Sequence, residues 1–281
     1  MFGVSRQVYY RSIRSVKEKQ KRADGVLDLV RRVRMEMPRI GTRKLYVILK
    51  DDLASIGVGR DKLFEILKSN KMLIKPRKNY HTTTNSHHRF RKHKNLIENS
   101  MINKPEQVWV SDITYIGTRK NPMYLSLVTD AYSKKIMGYN VSRSLATEGV
   151  LKALNMAISK RVFSFRELIH HSDRGLQYCS DEYQHQLNKY KIRCSMTESY
   201  DPYANAVAER INGVLKQEFL EGTQQYDFRI MQKIVQETVL IYNTKRPHIS
   251  NHMNTPSQMH KQNQIIMRTY KSKKAHQEYS L

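Results

Sequence analysis

Three carboxylates in this chain each lie in a distinctive local context, and they are the residues best suited to chemistry. Asp112 lies in Val108-Trp-Val-Ser-Asp-Ile-Thr-Tyr-Ile116, Asp173 in Ile169-His-His-Ser-Asp-Arg-Gly-Leu-Gln-Tyr178, and Glu209 in Asn205-Ala-Val-Ala-Glu-Arg-Ile-Asn212. Three acidic groups gathered by a fold can hold two divalent ions, which is what phosphodiester chemistry requires. Spacing alone is weak support, because a chain of 281 residues with 25 Asp and Glu offers some acidic pair at almost any separation. Each residue also has a plainer reading. Asp173 before Arg-Gly suits a turn cap, and Glu209 suits a solvated helix face. Asp112 is harder to explain away, since a carboxylate inside an apolar β run costs free energy unless it is paired or metal-bound.

The elements that must position these groups are legible from periodicity. Val108–Ile116, Met123–Ser133 and Lys135–Ser142 are rich in β-branched and aromatic residues and predict three antiparallel strands. Thr147–Lys160 predicts a helix with Val150, Leu154, Ala157 and Ile158 on one face. Leu168–Ser172 reads as a short strand leading into Asp173, Asp181–Tyr190 as a helix and Arg193–Thr197 as a strand. On the helix carrying Glu209, a step of about 100° per residue puts Asn205, Glu209, Asn212 and Lys216 within roughly 60° of one another. Val207, Ile211 and Val214 take the opposite side. Ile230, Ile234, Thr238 and Ile241 predict a long closing helix. Three strands, then helix, strand, helix, strand and helix is the order of a ribonuclease-H-like fold.

The N-terminal third has a different texture. Val26, Val30, Val33 and Met37 form one stripe, Pro38 and Gly41 interrupt it, and Thr42 is placed to cap a second helix burying Leu45, Ile48, Leu49 and Leu53. Gly57 and Gly59 break the pattern before a third helix with Leu63, Ile66 and Leu67, ending near Asn70. Short helices with tight turns are compatible with a helix-turn-helix. Residues 75–94 are dense in Lys and Arg, contain no acid, and read as an exposed basic connector that either tracks a DNA backbone or is simply solvated. Its histidines, His81, His87, His88 and His93, have no cysteine nearby to complete a zinc site.

Composition sets the outer limits. Hydrophobic residues at 39% can build a core, and no apolar run approaches the roughly 20 residues that span a bilayer. The opening residues carry no basic-then-apolar signal. Cys179 and Cys194 stand in separate segments, as expected of reduced cytoplasmic thiols. A net charge of +25 calls for a polyanionic partner, and nucleic acid is the obvious one. The charge is uneven: residues 1–100 hold 25 Lys and Arg against 9 Asp and Glu, so the first third is the expected docking surface. Residues 261–281 are basic and weakly patterned, as expected of a tail.

The motifs as a set resemble the DDE transposase and integrase superfamily, most closely the OrfB-type transposases of the insertion sequence three (IS-three) family. The resemblance rests on Trp109-Val-Ser-Asp-Ile-Thr-Tyr115, on His170-His-Ser-Asp-Arg-Gly175 with Gln177-Tyr178, and on Asn205-Ala-Val-Ala-Glu209. Lys216, Tyr242-Asn243, Arg246-Pro-His248 and Thr255-Pro256 continue it. One departure is Ala204 where the family usually carries Asp, a position that is not a metal ligand.

The resemblance implies an α/β fold: a ribonuclease-H-like integrase catalytic core over 103–260, preceded by a helix-turn-helix-like DNA-binding region over 1–74, a basic linker over 75–102 and a tail over 261–281. It implies that Asp112, Asp173 and Glu209 are catalytic metal ligands, that Lys216 contacts DNA and that Asp130 is structural. His170 and His171 read as packed strand-end residues. The implied cofactor is Mg²⁺, with Mn²⁺ able to substitute, as two ions. The implied partners are terminal inverted repeats and target DNA, further copies of the chain on paired ends, and an upstream OrfA frame joined by frameshifting. A nuclease that cuts without joining and a DNA-binding repressor remain open alternatives on the residues alone.

Overall fold

The computed structural model describes residues 5–75, 93–97, 100–197 and 206–261. Most of the basic connector (with His81, His87 and His88), Asn205 and the tail beyond Lys261 lie outside the described residues. The chain divides into two compact units, Met1–Pro76 and Arg77–Leu281.

The first unit is helical: α1 (Arg6–Glu36), α2 (Thr42–Ile48), α3 (Lys50–Ser55) and α4 (Arg60–Ser69). Its core joins Val26, Leu27 and Val30 of α1 to Leu45, Leu53, Leu63 and Leu67. Three features differ from the sequence expectation. α1 is a single helix of 31 residues whose basic, polar first half buries nothing, so apolar periodicity misses it while helix-favouring Arg, Lys and Gln extend it. The expected second helix breaks at Leu49 (φ −96°, ψ 16°), a bend at which Leu45, Leu49 and Leu53 all stay buried. Gly41, not Thr42, takes the cap position of α2, because Thr42 is drawn into the buried face. Gly57 adopts φ +66°, and the Val58 N–H returns 2.8 Å to the Leu53 carbonyl, a C-terminal helix stop that favours glycine.

The second unit is built on a five-stranded sheet in the order β3-β2-β1-β4-β5. β1 (Val108–Tyr115), β2 (Tyr124–Asp130) and β3 (Ile136–Ser142) run antiparallel as expected. β4 (Ile169–Ser172) and β5 (Arg193–Met196) join them in parallel. Between strands come α5 (Thr147–Ser159), the single turn α6 (Leu176–Cys179) and α7 (Asp181–Lys189). Trp109, Val128, Met137, Leu154, Tyr183, Leu187 and Met196 are the centre of the core. Gly138 lets α5 approach closely, since a Cβ there would collide with the Ala153 carbonyl. Lys94 and Leu96 bond to Met196 and Ser195 of β5, so the residues preceding β1 cover an edge of the sheet.

After α8 (Ala206–Val214) the chain makes a π turn, Leu215–Phe219, and returns through α9 (Phe228–Thr244) and α10 (Pro256–Lys261). α9 buries Met231, Val235, Thr238, Val239 and Tyr242, while Ile230 is exposed, which corrects the expected face by one residue. Two adjacent apolar stripes satisfy the helical period there. Tyr242 selects the inner one, its hydroxyl donating to the Lys134 carbonyl at 2.9 Å.

Candidate active site

β1 and β4 are central parallel neighbours, paired as far as Ser111 with Ser172. That register brings the next residues, Asp112 within β1 and Asp173 just past the end of β4, to the same level of the sheet. The Asp112 carboxylate is anchored at both oxygens, Oδ1 accepting the Ile113 N–H at 2.9 Å and Oδ2 accepting Asn212 Nδ2 at 2.7 Å. Asp173 Oδ1 accepts the Gly175 N–H at 3.0 Å, closing a small turn. A Cβ at Gly175 would stand 3.0 Å from that same oxygen, so a side chain there would crowd the carboxylate. Glu209 lies exposed on α8, one turn before Asn212.

The three carboxylates are electrostatically joined. Burial pushes Asp112 up to about 7, the charge of Asp173 adds to the rise, and Glu209 adds a smaller part. The bonds from Asn212 and the Ile113 N–H pull the other way. Lys216 is half-buried on the π turn; burial lowers its pKa and the charge of Asp112 opposes that. The π geometry departs from the regular helix assumed in the sequence projection, yet Lys216 still falls within reach of Asp112's field. Among the described residues, no three His, Cys, Asp or Glu side chains converge into a ready-made metal cage. The carboxylates interact through space without sharing one centre.

Behind the site, His170 is fully buried, its Nε2 lying 2.7 Å from Ser111 Oγ and 2.9 Å from Tyr183 OH. Burial lowers its pKa to about 3, so the ring is neutral. His171 Nδ1 lies 2.9 Å from Ser195 Oγ and ties β4 to β5. Asp130 is buried and accepts the N–H of Glu106 at 2.6 Å and the N–H and hydroxyl of Ser133 at 2.8 and 2.7 Å. These positions suit packing.

Two groups had no assigned role in the sequence. Asn212 falls on the Glu209 face in the sequence projection, but its bond to Asp112 depends on α8 docking against β1. Glu106, with Asp130, Ser133 and His260, forms a buried network: Glu106 accepts the N–H groups of Val162 and Phe163, both at 2.8 Å. His260 lies 3.3 Å from Glu106 and 2.9 Å from Ser133 Oγ. Only an acidic residue just before a strand signalled it, which is no signal by itself.

Two sequence profiles, both described as Integrase core domain, match residues 102–202 and 190–256. The chain is 33% identical over 255 residues to the insertion element IS600 31 kDa protein of Shigella sonnei, spanning 88% of this chain and 92% of that one. It is 36% identical over 149 residues to transposase InsF for insertion sequence IS3A of Escherichia coli K12, covering 53% of this chain and 50% of that one. Among solved structures, a chain of a simian T-cell lymphotropic virus intasome complex aligns over 83% of this chain and 79% of its own, with TM-score 0.51 and 18% identity, a likeness of fold. The sheet order, the paired integrase-core matches and the near full-length insertion-element relative lead to one conclusion: the chain belongs to the IS3 family of DDE transposases, polynucleotidyl transferases that carry out DNA transposition and integration.

Proposed function

We propose that Asp112, Asp173 and Glu209 are the catalytic carboxylates of this transposase and that they hold two divalent ions, Mg²⁺ or Mn²⁺. The observation that carries this reading is Asp112 itself. Burial and two acidic neighbours together raise this half-buried carboxylate, so three acidic groups act on one another, and a divalent cation would relieve that repulsion. An all-oxygen donor set suits Mg²⁺, which keeps much of its water and needs only one or two carboxylates plus substrate phosphate, so a closed protein cage is not required. When bound, such ions supply activation of the attacking oxygen and charge stabilisation of the leaving one.

The residues of the chain do the positioning. Asn212 and the Ile113 N–H fix the orientation of Asp112, and the Gly175 N–H fixes Asp173. Water attacks the phosphorus at a transposon end, the bond to the 3′ oxygen breaks, and the freed 3′-OH carries the departing proton. That hydroxyl then attacks a target phosphodiester, forming one P–O bond as another breaks, with no covalent protein intermediate. Lys216, within the field of Asp112, is the residue that meets a phosphate of the bound DNA. The basic N-terminal unit binds the terminal inverted repeats, and further copies of the chain pair two ends, with an OrfA-frame product as an added partner. No helix among the described residues is long and apolar enough to cross a membrane; the expected place of work is the bacterial nucleoid.

Cleavage and joining of end DNA by the full chain should require Mg²⁺ or Mn²⁺ and be poorly supported by Ca²⁺, whose larger and looser coordination misplaces the reacting oxygens. Robust joining in excess chelator would remove the metal-dependent reading.

A further inference from the structure

The π turn after α8 is held from outside the site, by a side chain the reaction itself does not use. Leu215–Phe219 depart from α geometry, with the Leu220 N–H reaching the Leu215 carbonyl at 2.9 Å. Isolated π turns inside helices are rare, are less regular than the α-helix around them, and recur at functional sites. This one sends its side chains three ways. Leu215 and Phe219 enter the core, Lys216 sits half-buried in the field of Asp112, and Glu218 points to Arg246.

Arg246 is 2% exposed and grips Glu218 with both arms of its fork, Nε to Oε2 at 2.8 Å and Nη2 to Oε1 at 2.7 Å. Arg246 is itself fixed to the sheet. It lies two residues past the end of α9, and its N–H bonds to the Ile241 carbonyl at 3.1 Å. One turn earlier, Tyr242 lies under the guanidinium and donates to the Lys134 carbonyl. Asn243 bonds both the N–H and the carbonyl of Ile136 at 2.9 Å, as an extra rung on β3. A continuous mechanical path therefore runs from the β2–β3 hairpin through α9 and Arg246 to Glu218, and so to the turn that carries Lys216.

We propose that Arg246 is a positioning residue: by clamping Glu218 it holds the π turn in the register that keeps Lys216 beside Asp112. Lysine cannot reproduce a two-armed grip on a carboxylate, so Arg246→Lys keeps the charge and loses the geometry. Freed, the turn relaxes toward α geometry and Lys216 rotates away from the acidic centre. The inference rests on the proposed contact between Lys216 and DNA, and its test separates the two.

The test is a double-mutant cycle in the full chain, using single-turnover joining of pre-cleaved end DNA. The four proteins are wild type, Lys216→Gln, Arg246→Lys and the pair. Arg246→Lys should slow joining by about tenfold in wild type and by less than about twofold where Lys216 is already gone, the non-additivity of two residues acting as one unit. A merely structural Arg246 gives the same loss in both backgrounds, and that result overturns the proposal while leaving Lys216 its role. If Lys216→Gln alone joins at the wild-type rate, the reading of Lys216 fails and the inference falls with it. Should Arg246→Lys lose its folded circular-dichroism signal at assay temperature, Glu218→Gln takes its place in the cycle with the same two outcomes.

Discussion

At the scale of single residues, Asp112 is a carboxylate set against its own ionisation by burial and by Asp173, and Asn212 is the group that orients it. Asn212 is 4% exposed and spends its amide N–H on Asp112 Oδ2. Groups that orient metal-binding carboxylates typically matter by about 10–100-fold in metal affinity or activity when removed. Asn212→Ala should therefore weaken Mn²⁺ binding, measured by calorimetry on the full chain, within that range while affinity for end DNA holds. Unchanged Mn²⁺ affinity would mean that Asp112 needs no such orientation. The candidates Asp112, Asp173 and Glu209 stand out in the sequence because each carries a local context. Asn212 could be placed on the right helix face but given no task, since its partner lies 100 residues away.

Among elements, α5 packs tightly against β3, and Gly138 makes that possible. Gly138→Ala should destabilise the second unit by about 1–3 kcal/mol, the usual cost of forcing extra volume into a packed core. Chemical denaturation would read it, and an unchanged midpoint would show that α5 can shift at no cost. The packing of α10 onto the buried Glu106–Asp130–Ser133 network carries a pH dependence. His260 of α10 faces Glu106, Asp130 and Ser133, the ring of Phe163, and the charge of Lys135. Burial alone would lower the His260 pKa, but the bonds to its acidic neighbours outweigh that and raise it above 6.5. Burial works against Glu106 too, yet the bonds from His260, Val162 and Phe163 hold its pKa below 4.5. The stabilisation from His260 is thus complete below its unfolded value of about 6.5 and is lost as pH rises through the folded one. That from Glu106 is complete above about 4.5 and is lost as pH falls through its folded value. The gap in melting temperature between wild type and His260→Gln should narrow as pH rises above about 6.5. A gap that stays constant to about pH 9 would mean that His260 is neutral throughout. The strands were legible because β-branched residues alternate between turns. The break at Leu49 and the true face of α9 were not, because periodicity in a sequence cannot choose between two adjacent apolar stripes when tertiary contacts decide.

For the whole molecule, charge and chemistry are expected to separate along the chain. The first 100 residues carry 25 of the 50 Lys and Arg but only 9 of the 25 acids, whereas Asp112, Asp173 and Glu209 belong to the less basic remainder. DNA affinity should then fall steeply with salt, each neutralised phosphate contributing about −0.9 to the slope of log K against log salt. A fragment of residues 1–100 should keep much of that slope and prefer inverted-repeat DNA, with 101–281 shallower; equal slopes would move end recognition to the catalytic unit. The most direct test of the central claim pairs binding with catalysis in Asp112→Asn, Asp173→Asn and Glu209→Gln. Each should bind end DNA within about twofold of wild type at matched salt, because the charges that meet phosphate are untouched. Each should also lose both cleavage and joining. Joining near the wild-type rate in any one of them would contradict the account and remove that carboxylate from the site.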